Sequence, residues 1–191
     1  MDMGTFTPAL VSAGTVALAE IGDKTQLLAL LLAARFRKPV PIVAGILVAT
    51  LLNHALAGLL GAEAAQWLTP KVLRWIVVVS FLAIAAWSLK PDTLDADMAL
   101  PTHGAFVATV IAFFLAEIGD KTQVATVLLA AKYQPLWQVV AGTTIGMLLA
   151  NVPVVILGSR FASRLPLRAA RIAAALLFLV LAVWVALRGI G

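Results

Sequence analysis

One nine-residue block occurs twice in this chain without change: Leu18 to Gln26 reads Leu-Ala-Glu-Ile-Gly-Asp-Lys-Thr-Gln, and so does Leu115 to Gln123. Each copy drops a Glu, an Asp and a Lys into a long apolar run. An ionised residue at the centre of a membrane helix opposes insertion by about 2.5 to 3.5 kcal/mol, so the six together amount to roughly 18 kcal/mol before any pairing. A fold that keeps them has to let them compensate one another, and function is the reason to keep them.

Composition makes those runs membrane segments. Of 191 residues, 62% are hydrophobic and 12% charged, against roughly a half and a quarter in soluble domains. Mean hydropathy is +1.03. With no Cys, disulfides, thiolate metal sites and a cysteine nucleophile are excluded, so a metal would meet oxygen ligands or the two histidines. The formal charge of +5 comes from basic residues clustered beside apolar runs, where they orient helices or meet anionic headgroups. Membrane lipid is therefore an expected partner and nucleic acid is not. Ala17-Leu18-Ala19 imitates a signal-peptidase site but lacks a basic region before it. Its counterpart ends at Ala116 inside a mid-chain apolar run, so both are read as mature membrane helix.

Apolar runs fall at about 7–34, 39–62, 70–89, 104–131, 136–158 and 167–187, each long enough for a crossing of about 20 residues. Pro39 and Pro41 open the second, Thr69-Pro70 reads as an N-cap followed by proline at the first helical position, and Pro135 opens the fifth. Sliding the chain by 97 residues aligns its halves without a gap: Leu31-Leu-Ala-Ala34 meets Leu128-Leu-Ala-Ala131, Gly45 meets Gly142, Gly61 meets Gly158, Phe81 meets Phe178 and Trp87 meets Trp184. The expectation is an all-α integral membrane protein of six transmembrane helices, built as two three-helix repeats over 1–90 and 104–191 with an acidic linker over 91–103. Three is odd, so the second repeat crosses in the opposite sense and the topology is inverted.

Lys and Arg set the orientation. Loops 1–2, 3–4 and 5–6 carry Arg35, Arg37, Lys38, Lys90, Arg160, Arg164, Arg168 and Arg171, while the other side has Lys71, Arg74, Lys132 and Arg188. The positive-inside rule then puts both termini outside. The linker's Asp92, Asp95 and Asp97 lack the glycine and terminal glutamate of an EF-hand loop and read as a solvated connection.

On a regular helix Glu20, Asp23 and Lys24 share one face at offsets of three and four, as do Glu117, Asp120 and Lys121. Inverted symmetry brings the two faces together near the midplane. Glu20, Asp23, Glu117 and Asp120 form a hard-ligand set with Thr25, Thr122, Gln26 and Gln123 as auxiliary oxygens, although Thr and Gln point partly off the acidic face of a regular helix. Mn²⁺, Ca²⁺ or Mg²⁺ suit it better than Cu(I). With the cation gone, carboxylates crowded in a low-dielectric surrounding take up protons, so cation and proton compete for one site. Lys24 and Lys121 either pair with the carboxylates in the empty state or point elsewhere. Gly22 and Gly119 sit inside the motifs, and a 28-residue run is about 42 Å of helix against about 30 Å of hydrocarbon. A tilted or locally unwound first and fourth helix would use that excess, and unwinding frees backbone carbonyls for the ion.

Asn53, His54 and Asn151, the last being the counterpart of His54, are weaker candidates. An interhelical hydrogen bond is the plainer role for each, with an ion ligand or proton relay at His54 as the sharper one. Gly142-Thr-Thr-Ile-Gly146, mirrored by Gly45 and Ala49, reads as close helix packing. Trp67, Trp75, Trp87, Trp137 and Trp184 lie near run ends and read as an interfacial belt. Pro153 stands where the first half has Leu56, so helix 5 alone would kink.

The doubled Glu-Ile-Gly-Asp-Lys-Thr resembles the hallmark of the Gdt-type cation/proton exchangers, E-x-G-D-[KR]-[ST] in each of two three-helix halves. The resemblance covers almost the whole chain and no motif position departs from it. It implies Mn²⁺ transport, with Ca²⁺ in some members, driven by exchange for protons, and it implies functional roles for Glu20, Gly22, Asp23, Lys24 and Thr25 and for Glu117, Gly119, Asp120, Lys121 and Thr122. Bacterial members look like manganese exporters of the cytoplasmic membrane, and eukaryotic ones act at the Golgi. The sequence lacks the long leader and extended central loop of eukaryotic relatives, which favours the bacterial cytoplasmic membrane. The resemblance implies no cofactor beyond the transported Mn²⁺ or Ca²⁺ and H⁺. A homo-oligomer stays open.

Other classes compete. Asp23 and Asp120 on two membrane helices invite comparison with intramembrane aspartyl proteases, but a Glu precedes and a Lys follows each Asp, and a dyad sharing one proton would be swamped. A non-transporting scaffold predicts that carboxylate-to-amide changes leave phenotype intact. A channel is disfavoured by buried fixed charges of both signs, which suit binding and release. A Ca²⁺/H⁺ exchanger of the same architecture is the nearest alternative, because both ions accept oxygen ligands.

Overall fold

The apolar runs fold as helices, and the residues that punctuate them mark where those helices begin. In the computed structural model of the chain, which describes residues 7–91, 104–158 and 165–189, every regular element among the described residues is an α-helix. In order these are α1 (Thr7–Glu20), α2 (Lys24–Phe36), α3 (Pro39–Trp67), α4 (Pro70–Ser88), α5 (Ala105–Glu117), α6 (Lys121–Lys132), α7 (Leu136–Leu157) and α8 (Leu167–Arg188). Pro39 starts α3, Thr69 caps α4 by accepting from the Val72 N–H at 3.4 Å, and Pro135 precedes α7. Four helices, α3, α4, α7 and α8, are long and apolar enough to cross a membrane. This is an all-α membrane protein.

The single helices expected over 7–34 and 104–131 are each two. Gly22 and Gly119 take φ values of +82° and +74°, a left-handed conformation through which no α-helix continues. The result is eight described helices in place of six. The pieces are 14, 13, 13 and 12 residues long, about 18 to 21 Å each, so none covers about 30 Å of hydrocarbon alone.

Small residues let the two halves interleave. α1 lies along α7 of the second half, and its equivalent α5 lies along α3 of the first. A Cβ at Gly142 would stand 2.3 Å from the Ala9 carbonyl oxygen, and one at Gly146 would stand 2.5 Å from that of Ala13. At Gly45 it would come within 2.7 Å of Thr109 Cβ. Here the packing reading of the glycine pattern is borne out: without side chains in between, backbones approach to full van der Waals contact. α3 also carries α6, with Gly61 so close that a Cβ would lie 2.1 Å from the Val127 carbonyl oxygen.

α4 and α8, the last helices of each half, pair antiparallel. Phe81 and Phe178, equivalent under the 97-residue shift, stack with ring centroids 6.0 Å apart, and Arg74 near the start of α4 donates to the Ala186 carbonyl near the end of α8. This pair rests on α1 and α6 more than on their equivalents α5 and α2, so the repeat is not perfectly symmetric in space. One hydrophobic cluster joins α4 and α8 to α6, and a second joins α2, α3, α5 and α7. All five tryptophans are exposed, as outward-facing belt residues would be. α7 runs as helix through Pro153. Asp92, Asp95, Asp97, Arg160 and Arg164 lie outside the described residues.

The close approach at Gly61 makes a stability prediction. Gly61→Ala forces α3 off α6 and should cost about 1 to 3 kcal/mol, the range for overpacking. Gly14→Ala in α1, where an added Cβ meets nothing within 4 Å among the described residues, should be neutral or stabilising by up to about 1 kcal/mol. Thermal unfolding of the full chain in detergent checks both, and equal behaviour of the two variants would contradict the interleaved packing.

Candidate cation site

Each motif lies at a helix break, and the break sorts its residues. α1 ends on Glu20 and α5 ends on Glu117, so both glutamates stand at the C-terminal end of a half-helix, where unpaired carbonyls carry partial negative charge. The chain then turns through Gly22 or Gly119. Asp23 and Asp120 adopt extended backbone and cap α2 and α6, accepting from the Thr25 N–H at 3.5 Å and the Thr122 N–H at 3.3 Å. A carboxylate at a helix N-terminus is favoured by the dipole, whereas the two glutamates at C-terminal ends are opposed by it. A cation placed there relieves both glutamates.

The regular helix face expected for Glu20, Asp23 and Lys24, and for Glu117, Asp120 and Lys121, does not form, because the positive φ at each glycine ends the first half-helix. The same break turns the threonines inward. Thr25 Oγ1 donates to Glu20 and lies 3.4 Å from Asp23 Oδ2. Thr122 Oγ1 donates to Glu117 at 3.0 Å and lies 3.3 Å from Asp120 Oδ2. Gln26 and Gln123 serve the break itself: their Oε1 atoms accept from the Gly22 N–H at 2.9 Å and the Gly119 N–H at 2.8 Å. Their amides then reach to neighbouring helices, Gln26 donating to the Ala150 carbonyl at 3.0 Å and Gln123 to Asn53 Oδ1 at 3.2 Å.

Around the breaks the two motifs converge. Glu20, Glu117 and Asp120 each offer an oxygen within 4.8 Å of the others, and all three are buried. Oε1 of Glu20 and Oε1 of Glu117 have no hydrogen-bond partner among the described residues. Each lysine pairs with the aspartate of the opposite motif: Lys24 Nζ lies 3.1 Å from Asp120 Oδ1, and Lys121 Nζ lies 2.5 Å from Asp23 Oδ1. Chemically this is a buried cluster of hard oxygens with two of its atoms uncommitted, an arrangement that accepts a divalent cation or protons.

The weaker candidates separate. Asn53 makes the expected interhelical bonds, donating to the Phe114 carbonyl at 3.0 Å and accepting from Gln123. Asn151 does not: its Nδ2 donates to the Met147 carbonyl at 3.1 Å one turn back in its own helix, the back-bonding open to a short polar side chain within a helix. His54 is buried, and neither ring nitrogen has a partner among the described residues. The buried hydroxyls of Ser12, Thr15, Thr50 and Thr144, unpartnered among the described residues, escaped sequence reasoning. The three- and four-residue spacings Ser12-Thr15-Ala19 and Thr50-His54 were the available signal.

Comparison with known proteins places the sequence in a family. The family described as divalent cation/proton antiporter GDT1 matches the chain twice, over residues 8–96 and 105–191. A Vibrio cholerae protein named "Putative manganese exporter" is 58% identical over 173 residues, covering 90% of this chain and 86% of the relative. A GDT1-like protein of Synechocystis is 27% identical over 88% of this chain and 91% of its own length. The divalent cation/proton antiporter GDT1 of Saccharomyces cerevisiae is 22% identical over 91% of this chain and 81% of its own length. No solved structure matches the chain.

The glycines at the breaks give a testable asymmetry. At Gly119 an added Cβ meets nothing within 4 Å among the described residues, so Gly119→Ala should cost only the left-handed backbone, about 1 to 2 kcal/mol. At Gly22 the Cβ would also press on Leu167 Cδ2 at 3.0 Å, so Gly22→Ala should unfold at a lower temperature than Gly119→Ala. Paired thermal melts decide, and the reverse order would contradict the seating of α8 over the first break.

Proposed function

Because the chain belongs to the GDT1 family of divalent cation/proton antiporters, we propose that it exports Mn²⁺ in exchange for protons through one carboxylate site built by both halves. The observation that carries this reading is the convergence of Glu20, Glu117 and Asp120 within 4.8 Å across two copies of one motif. Thr25 and Thr122 orient the glutamates, and the C-terminal ends of α1 and α5 add the negative field that half-helices bring to cation sites. When the cation leaves, protons neutralise the same oxygens, so one site accounts for both transported species. The oxygen set also accepts Ca²⁺. The family is one of transporters and not of enzymes.

In the membrane, α1 with α2 and α5 with α6 each act as one discontinuous crossing. Together with α3, α4, α7 and α8 this makes six crossings in two inverted repeats, 1–90 and 104–191, joined by the linker over 91–103. The antiparallel pairing of α4 with α8 about equivalent phenylalanines supports an axis in the membrane plane. The likeness to a bacterial protein named a manganese exporter supports a bacterial cytoplasmic membrane location, and the excess of basic residues in loops 1–2, 3–4 and 5–6 supports both termini outside.

Flux of Mn²⁺ and Ca²⁺ in proteoliposomes under an imposed pH gradient tests the reading. Native protein should move Mn²⁺ against a proton flow, and Glu20→Gln or Glu117→Gln should lower the rate at least about tenfold with folding retained. Lowering the pH on the loading side should weaken apparent Mn²⁺ affinity, because the ligands must shed protons to bind metal. Flux that survives both substitutions, or affinity that ignores pH, would remove the shared site as the place of exchange.

A further inference from the structure

The two motifs are identical in sequence but not in surroundings. Asp120 belongs to two groupings at once, the trio with Glu20 and Glu117 and the ion pair with Lys24. Asp23 stands outside that trio and is held by Lys121. The lysines differ as well: the Lys24 side chain is 26% exposed, whereas that of Lys121 is 3% exposed and makes the shorter contact, 2.5 Å against 3.1 Å.

We propose that the motifs do different work: Lys24 is a tethered counter-cation that occupies Asp120 until the incoming metal ion displaces it, whereas Lys121 stays on Asp23 throughout. The inference rests on the shared carboxylate site proposed above and names the residue that sets its affinity. A metal ion reaching Glu20 and Glu117 meets Asp120 already carrying an ammonium, and two cations on one carboxylate repel. The metal therefore binds only as Lys24 withdraws. Withdrawal is feasible for Lys24 because part of its side chain is accessible and four methylene groups let the charge move outward. For Lys121, whose side chain is 3% exposed, the same movement would have to carry an ammonium through a packed low-dielectric interior, which is strongly unfavourable. An internal cation that returns when the metal leaves also keeps the empty site from standing bare.

The test is Mn²⁺ binding to the full chain in detergent by calorimetry, with Lys24→Gln, Lys121→Gln and Glu117→Gln compared. Lys24→Gln should bind Mn²⁺ about tenfold tighter or more, the scale of close charge-pair coupling, since a competitor has gone. Lys121→Gln should not bind tighter, and its unfolding temperature should fall. A second readout uses native protein: reductive methylation of Lys24, followed by peptide mass spectrometry, should quicken when Mn²⁺ is added, while Lys121 stays protected. If Glu117→Gln loses binding but Lys24→Gln binds like native protein and methylation ignores Mn²⁺, the counter-cation is refuted and the shared site stands. Equal tightening in both lysine variants would overturn the division of labour. Should Glu117→Gln bind like native protein, the site itself is misassigned and this inference goes with it.

Discussion

Glu20, Asp23, Glu117 and Asp120 are buried in one place, and a low-dielectric interior does not hold four carboxylates without compensating charge. Each motif carries a lysine, and each lysine makes its ion pair with the aspartate of the other motif. Lys24 reaches Asp120, and Lys121 reaches Asp23. The halves are thus bound by an exchange of charge. This explains why the chain interleaves its repeats, α1 on α7 and α5 on α3, in place of two separate three-helix bundles.

The backbone is arranged to the same end. A continuous helix would bond its carbonyls internally and present no terminus at the site. Breaking at Gly22 and Gly119 produces two helix C-termini and two N-termini there, with glutamates at the negative ends and aspartates at the positive ones. The broken backbone must still be satisfied where water is scarce, and Gln26 and Gln123 do this by accepting from the two glycine amides. Their place in the motif is then a matter of holding the turn shut.

Close packing makes the arrangement stiff where it must be, and unequal where exchange needs it. Gly45, Gly61, Gly142 and Gly146 bring α3 and α7 against their neighbours at backbone distance. The α4–α8 pair, in contrast, leans on α1 and α6, and Leu167 covers Gly22 while Gly119 has no such cover among the described residues. Lys24 and Lys121 are likewise unequally exposed, at 26% and 3% of the side chain.

Much of this was legible in the residues themselves. The gapless 97-residue repeat, the apolar runs, the proline starts at Pro39, Pro70 and Pro135, and the grouping of charge within one block are local or periodic signals, so the chain states them directly. The excess length of two runs, together with Gly22 and Gly119, even pointed to unwinding. Sequence could not say that unwinding wins over tilt, since that depends on whether other helices satisfy the opened backbone, as Ala150 and Asn53 do through the two glutamines. It could not choose partners for the lysines, because identical motifs offer identical aspartates. Only the interleaved packing makes the opposite one nearer. Nor could it distinguish one motif from its copy. Part of that difference lies in the seating of α8, whose Leu167, with Pro70 as its counterpart, packs over Gly22, a contact that only the tertiary structure decides.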